Sequence, residues 1–479
     1  MVGIDNVKIL KNYFYNAAYQ IFTLIVPLIT IPYISRVLGP QGVGINTLTN
    51  STIQYFVLLA NLGLTTYGQR QIAYKRKNMS SASKEFWGIE TLSIVTTAFS
   101  LLCFIGLMFF IDKYRTYYFA QAFLILASAF DISWFFMGLE NFKITVLRNF
   151  IFKILSVAMI FLFVKNDNDL IVYILIISVL TVFSNLSLWP YLKKYLVNIK
   201  LKDIQIKKHL IPAFQLFIPQ IAISVYSILN KVMLGHLDTV ESSGYFDNSD
   251  KIIRICLTLL TAFSTVMMPH IASSFINGEQ RKIRRYINQG MKIALLFSIP
   301  LAVGIVCVSP DFVPVFFGNK FLPVVNVMSI EAIAVVPIAC ASILGAQYLV
   351  PVNKNNQYTI SILGGALVNI VINIPLIKFF SASGAAAATV ISEVVVTLIQ
   401  VKYTQKDLDI RPSFSEVYKI IISCIPMGLF IKIISGMTTP SLFAIAIEGV
   451  GGIFIYLVML LLLRVDSVMD VMSMLKQRR

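Results

Sequence analysis

Long apolar stretches alternate with short polar connections over almost the whole chain. A membrane-spanning helix needs about 20 consecutive apolar residues, and the sequence holds about fourteen stretches of roughly this length. They run near residues 13–36, 42–68, 86–110, 117–138, 144–164, 169–190, 211–234, 244–270, 289–308, 323–349, 357–378, 384–403, 414–435 and 441–463. Because the connections are short, little of the chain can fold outside the membrane. The pattern predicts an all-α membrane protein with about fourteen transmembrane helices.

The composition supports this prediction and narrows the candidate chemistry. Of the 479 residues, 57% are hydrophobic and 13% are charged, whereas a soluble domain carries about 25% charged residues. The five cysteines lie far apart in apolar runs, and the three histidines have no clustered ligands. We therefore expect no disulfide framework, no metal site and no cofactor. The net charge of +17 indicates loops that face anionic lipid headgroups rather than a nucleic-acid partner.

Basic residues accumulate in alternate connections. The connections that are rich in basic residues hold Lys75, Arg76, Lys77 and Lys84, and further basic clusters at residues 193–208, 281–285 and 402–411. The tail from Lys476 to Arg479 belongs to the same set. The other connections carry only scattered charges. The positive-inside rule places the basic set, and with it both termini, in the cytoplasm.

The longest and most basic connection, residues 191–210, divides the chain into two blocks of six predicted spans followed by a further pair. We predict an N-terminal lobe at 1–196, a C-terminal lobe at 197–406, and an extra helix pair with a cytoplasmic tail at 407–479. The segment from Arg36 to Gly39 is echoed by the segment from Lys231 to Gly235. Blocks with an even number of spans form a parallel repeat, a design in which transporters hold substrate between the halves and alternate access.

Four ionisable residues share one helical face at the start of the eighth predicted span. Asp247, Asp250, Lys251 and Arg254 are spaced by three, four and seven positions. A charge at the bilayer centre costs roughly 2.5–3.5 kcal/mol, so such a face predicts the wall of a hydrated cavity. The alternative is that Asp247 neutralises Lys251 and Asp250 neutralises Arg254 at four-residue spacing. Both can hold together.

Other ionisable residues extend this hypothesis. Arg36 and Lys231 lie at equivalent ends of the first spans of the two blocks. Together with Lys251 and Arg254 they would form a basic ring suited to a phosphate or pyrophosphate. Glu331 and Glu393 are candidate coupling carboxylates. The chain has no Walker A sequence and no HExxH or GxSxG motif, so we expect neither ATP-driven transport nor an enzyme.

Small residues open the twelfth predicted span. The sequence from Gly384 to Ala388 consists of one glycine and four alanines. Small side chains let helices approach closely, and we predict helix packing at this position.

Three segments resemble those of a known family. The segment 131–149, which reads DISWFFMGLENFKITVLRN, is similar to the fourth-to-fifth span signature of Wzx-type polysaccharide repeat-unit flippases. The segment 38–44 resembles their first-loop motif. Their second-half pattern is matched by residues 347–351, Asn369, Asn373, Gly384 to Ala386, and Glu393. The resemblance covers essentially the whole chain.

This family belongs to a MATE-like exporter superfamily (MOP). The resemblance implies two six-helix lobes in a V shape plus two extra helices. It also implies transfer of undecaprenyl-pyrophosphate-linked oligosaccharide, for capsule, exopolysaccharide or O-antigen, from the cytoplasmic to the outer leaflet of a bacterial plasma membrane. A related peptidoglycan-precursor flippase group holds pyrophosphate with cavity arginines from both lobes. By that likeness Arg254 is the best match, whereas its N-terminal counterpart is the neutral Gln54.

Alternatives remain at this stage. A teichoic-acid precursor flippase is a close variant. A cation-coupled drug antiporter of the same fold would depend on a buried carboxylate such as Glu331 or Glu393. A membrane enzyme would need a sizeable outer loop or a cytoplasmic catalytic domain, and neither is visible. The expected partners are a lipid-linked oligosaccharide and the bilayer, with a polysaccharide polymerase and glycosyltransferases as further candidates.

Overall fold

The computed structural model describes the backbone of residues 2–200, 204–265 and 268–465. Side chains are described over these ranges apart from residues 2–21 and short runs within 218–227 and 259–269. The regular structure is helical. The helices are α1 (Val2–Asn61), α2 (Leu64–Lys75), α3 (Met79–Met108), α4 (Arg115–Ser128), α5 (Ser133–Gly138), α6 (Phe142–Phe163), α7 (Leu170–Leu186), α8 (Trp189–Leu192), α9 (Ile206–Leu237), α10 (Val240–Thr265), α11 (Met268–Ile276), α12 (Gln280–Phe316), α13 (Val324–Glu331), α14 (Val335–Ala341), α15 (Asn355–Thr404), α16 (Val417–Met437) and α17 (Leu442–Leu462).

The all-α membrane fold predicted from the apolar pattern is confirmed. Among the described residues, ten helical segments are long and apolar enough to cross a membrane. Two of them, Phe22–Lys75 and Asn355–Thr404, each cover two of the predicted spans. The seventh and eighth predicted spans correspond to α9 and α10, which do not meet the criterion of length and composition over the described residues. In α10 the reason is the charged face of its first half.

At two positions where the sequence predicts a loop between spans, the structure has a sharp break within one continuous helix. α1 is broken at Gly39, with φ 64° and ψ 179°, a conformation that glycine adopts because it has no Cβ. α15 is broken at Ser381, with φ 56° and ψ −137°. The Ser381 hydroxyl is held by hydrogen bonds to the Asp238 carboxylate and to Ser242 Oγ. Each break lies between two predicted spans, which therefore follow one another without a loop.

The chain forms two compact units, Met1–Val232 and Met233–Arg479. The division falls inside α9, beyond the predicted end of the first lobe at residue 196, and the predicted lobe boundaries stay a prediction. The predicted cytoplasmic tail, residues 466–479, lies outside the described residues.

Each unit has its own apolar core. In the first unit the rings of Phe86, Trp134 and Phe135 are buried and pack together, with ring centroids 5.4 and 5.0 Å from Phe86. In the second unit, buried residues of α12, α14, α16 and α17 form one core. The predicted close packing at Gly384 is confirmed, because a Cβ there would lie 2.0 Å from the carbonyl oxygen of Leu376.

Candidate functional site

The first half of α10 buries an unusual number of polar side chains. Ser242, Ser243, Asp247, Asn248, Ser249 and Asp250 are all buried in the described structure. Buried polar groups need hydrogen-bonded or charged partners. Burial of a polar group without a partner costs about 1–3 kcal/mol, and more for a charged group. Among the described residues, the first half of α10 therefore places a dense polar segment in the interior of the second unit.

Two ion pairs run along α10, as the spacing predicted. Asp247 Oδ2 lies 2.5 Å from Lys251 Nζ, and Asp250 Oδ1 accepts a hydrogen bond of 2.7 Å from Arg254 Nε. The two aspartate side chains are only 8% and 7% exposed, whereas Lys251 and Arg254 are 41% and 53% exposed. The carboxylates thus lie inside the unit and the basic ends lie at its surface. Pairing is confirmed, and it leaves both bases accessible.

A third carboxylate contacts α10 from another helix. Ser249 Oγ donates a hydrogen bond of 2.5 Å to Glu331 Oε2, at the end of α13. Ser249 stands between the two ion pairs in sequence, and Glu331 is only 2% exposed. The structure therefore brings one of the two candidate coupling carboxylates to α10, through Ser249. The sequence carries no signal for this contact, because positions 249 and 331 are 82 residues apart.

We call Asp247, Asp250, Lys251, Arg254 and Glu331 the α10 cluster. It holds three acids and two bases, so its formal charge is −1 when every group is ionised and zero when one acid is protonated. The α10 cluster is not a purely basic surface, and the protonation of one carboxylate removes its net negative charge and with it the repulsion of an anion.

The remaining predicted site residues lie on other helices. Arg36 is exposed on α1 and Lys231 is partly buried on α9, and both belong to the first unit. Glu393 is buried in α15, and within the described part of the chain no hydrogen bond or ion pair joins it to the α10 cluster. The basic ring of Arg36, Lys231, Lys251 and Arg254 stays a prediction.

Gln54, the neutral counterpart of Arg254, contacts another neutral side chain. Gln54 lies in α1, and its Nε2 donates a hydrogen bond of 3.4 Å to Asn50 Oδ1, one helical turn earlier. This contact involves two neutral amides. Within the described ranges, no group of three or more His, Cys, Asp or Glu side chains could hold a metal ion.

The segment that carries the family signature is a packing element. Trp134, Phe135 and Phe136 of α5 are almost fully buried. Gly68 of α2 approaches so closely that a Cβ there would lie 2.5 Å from Trp134 Cε3. The aromatic run therefore fixes α5 against α2 and is not itself a polar binding site.

A comparison with protein families decides the family. Residues 9–275, more than half of the chain, match the family described as polysaccharide biosynthesis protein. The chain belongs to this family. The matched region includes Arg36, Lys231 and the part of the α10 cluster on α10, whereas Glu331 and Glu393 lie beyond it. The resemblance to Wzx-type flippases predicted from the sequence is confirmed.

One known protein resembles this member of the polysaccharide biosynthesis family in sequence, and two solved structures resemble it in fold. A putative O-antigen transporter of Escherichia coli (strain K12) is 21% identical over 416 residues, covering 85% of this chain and 99% of that protein. The solved structure of the lipid II flippase MurJ in an inward closed conformation matches with a TM-score of 0.73 at 15% identity, covering 92% of this chain and 97% of that one. An inward-facing multidrug resistance MATE family transporter of the MOP superfamily matches with a TM-score of 0.60 at 12% identity, covering 80% and 97%. At such identities the two structures show the fold.

Proposed function

We propose that this protein is a flippase that moves an undecaprenyl-pyrophosphate-linked oligosaccharide from the cytoplasmic to the outer leaflet of a bacterial plasma membrane. The observation that carries the proposal is the match over almost the full length of a putative O-antigen transporter, in a chain that belongs to the polysaccharide biosynthesis family. The proposal includes alternating access, both termini in the cytoplasm, and no catalytic residue. Polysaccharide polymerase and glycosyltransferases would act on the two sides of this step.

The α10 cluster supplies the proposed contact with the pyrophosphate. A sugar-pyrophosphate head is strongly hydrated and cannot enter hydrocarbon without compensation for its lost water. Arg254 uses Nε for Asp250, and the guanidinium carries four further N–H groups on its terminal nitrogens. Those groups suit bidentate, charge-assisted hydrogen bonds to phosphate oxygens, and Lys251 would add a mobile point charge.

The buried aspartates would give the bases a fixed position. A long basic side chain loses conformational entropy when it is held in one geometry. Because Asp250 already orients Arg254 and Asp247 already orients Lys251, part of that loss precedes substrate binding. In the first unit, Arg36 and Lys231 are kept as candidate phosphate-binding residues.

Glu331 is the proposed coupling carboxylate of the α10 cluster. It is almost fully buried and accepts a hydrogen bond from Ser249, on the helix that carries both bases. An anionic head would bind better when Glu331 is protonated, because the formal charge of the cluster then rises from −1 to zero. Glu393 remains a second candidate for this role.

The same carboxylate favours a second candidate function. A cation-coupled drug antiporter would use a buried acid in the second unit, and Glu331 meets that description. A teichoic-acid precursor flippase would use the α10 cluster in the same way as an oligosaccharide flippase. Substrate identity separates these cases, because a drug antiporter carries cations and both flippases carry a lipid-linked phosphate.

Deletion of the gene followed by leaflet-resolved analysis of lipid-linked intermediates tests the proposal. We expect the oligosaccharide lipid to accumulate in the inner leaflet and to return to the outer leaflet when the wild-type protein is supplied. Normal arrival at the outer leaflet in the deletion strain would overturn the flippase proposal. Increased sensitivity to cationic drugs, with normal glycan export, would instead favour the antiporter.

A further inference from the structure

A cavity of about 590 Å³ lies within the first unit. Its walls come from α3, from α8, and from the linker that follows α8. They include Trp87, Trp189, Leu192, Lys193, Leu196 and Ile199. Ligand pockets in proteins typically have volumes of about 300–1,000 Å³, so this cavity is large enough for part of a lipid.

Hydrogen bonds fix the walls of the cavity. The backbone N–H of Val197, a lining residue, donates to Ser83 Oγ of α3 at 2.9 Å. The Trp189 indole N–H donates to the carbonyl oxygen of Phe130 at 3.1 Å. Because the linker and the indole are both tied to neighbouring helices, the cavity is a built feature of the fold rather than a gap beside a loose loop.

Further contacts hold the far end of the linker. Lys208 Nζ forms an ion pair of 2.7 Å with Glu85 Oε1 of α3. The His209 Nδ1 atom and the Tyr67 hydroxyl lie 3.0 Å apart in a hydrogen bond. α9 therefore starts from a position that is anchored to α2 and α3, next to the cavity.

The lining has the chemistry of a lipid site at a membrane interface. Among the described residues that line it, Lys193 is the one charged side chain, and most of the others are apolar or aromatic. Tryptophan is enriched at membrane–water interfaces. The distribution of basic residues places this linker on the cytoplasmic side, where basic pockets between helices bind anionic lipid headgroups. The neighbouring Lys194 and Lys200 add to the positive charge of the linker.

We propose that this cavity binds a phospholipid with a net negative headgroup from the cytoplasmic leaflet. One acyl chain packs against Trp87, Trp189 and Leu192, and the headgroup phosphate contacts Lys193. The bound lipid holds the linker against α3 and so steadies the start of α9. This inference concerns a second site and does not depend on which substrate the α10 cluster takes.

Tryptophan fluorescence offers a direct test, because the chain has only three tryptophans. Two of them, Trp87 and Trp189, line the cavity, and Trp134 is buried in the core of the first unit. The full-length protein is placed in nanodiscs of phosphatidylcholine, and brominated phosphatidylglycerol is titrated in. Brominated phosphatidylcholine at the same fractions is the reference quencher. We expect quenching to saturate at a low fraction of the anionic lipid, and to rise only in proportion to the bromine content for the neutral lipid.

A matched pair of variants separates a specific site from general attraction to the membrane surface. Lys193 lines the cavity, whereas the adjacent Lys194 does not. Lys193→Gln should weaken the apparent affinity for brominated phosphatidylglycerol about fivefold, the effect expected for one lysine at an anionic surface, while Lys194→Gln should leave it nearly unchanged. Ile199→Phe, which narrows the cavity, should reduce quenching by the anionic lipid without removing Lys193. Equal quenching by the two lipids, or equal effects of the two lysine variants, would overturn the proposal.

Discussion

Removal of Arg254 should have two separable effects, one on stability and one on transport. Arg254→Ala removes the ion pair that Arg254 forms with Asp250, whose side chain is only 7% exposed. Breaking a fully buried pair costs about 3–5 kcal/mol, but Arg254 is 53% exposed, and solvent screening reduces the loss to about 1–2 kcal/mol. The transport effect is separate, because a charge-assisted bond to phosphate is worth about 1.5–3 kcal/mol, or about 10- to 100-fold in affinity.

A double variant separates the two effects. Asp250→Asn combined with Arg254→Gln removes both charges and keeps side chains of similar size. We expect it to recover most of the lost thermal stability in detergent, because the buried carboxylate loses its charge together with Arg254. Export of the lipid-linked oligosaccharide, measured at matched protein levels, should stay as low as in Arg254→Ala. Arg254→Lys should retain part of the export, since it keeps a positive charge without the bidentate geometry.

The same exchange at the neighbouring pair is the control. Asp247→Asn with Lys251→Gln removes one pair of opposite charges from the same helix face. It should reduce export less than the Asp250/Arg254 double variant, because lysine binds phosphate as a point charge only. If export recovers together with stability in the Asp250/Arg254 double variant, Arg254 acts only as a partner of Asp250 and the reasoning is refuted.

Four further predictions concern two glycines, His209 and Glu331. Gly384→Ala should destabilise the protein by more than about 1–3 kcal/mol in thermal unfolding, because its Cβ would meet the backbone of Leu376. Gly39→Ala has open space around its Cβ and should cost only the strain of φ 64°, about 1–3 kcal/mol. Burial lowers the pKa of His209 below its ordinary value of 6.5. As the pH falls, His209 therefore takes up a proton in the unfolded state at a higher pH than it does in the folded state. The protection factors of the backbone amides at the start of α9, which are corrected for the pH dependence of the intrinsic exchange rate, should therefore fall as the pH drops below 6.5, and His209→Gln should remove this change. Glu331→Gln should keep the hydrogen bond from Ser249 but abolish any dependence of export on the proton gradient.

Features that depend on local spacing were predictable from the sequence. The length of each apolar run predicted the helices, and four-residue spacing predicted the pairs of Asp247 with Lys251 and of Asp250 with Arg254. Both predictions are confirmed. The glycine–alanine run at Gly384 likewise predicted the close packing observed there.

Features that join distant parts of the chain were not predictable. Nothing in the sequence relates Ser249 to Glu331, so the third carboxylate of the α10 cluster emerges only from the packing of α10 against α13. The break at Ser381 was not predictable either. A serine at φ 56° is held there by hydrogen bonds to Ser242 of α10 and to Asp238 in the turn before α10. The lipid cavity needs the linker to fold back on α3 through Val197 and Ser83, which composition alone does not indicate.

Transfer between leaflets by the purified protein tests the central claim most directly. Proteoliposomes would carry an undecaprenyl-pyrophosphate-linked oligosaccharide with a fluorescent sugar, and a membrane-impermeant quencher would report the fraction in the outer leaflet over time. We predict that the wild-type protein equilibrates the labelled lipid between leaflets, whereas Arg254→Ala leaves the rate close to that of protein-free vesicles. Equal rates for wild-type protein, Arg254→Ala and protein-free vesicles would contradict the account.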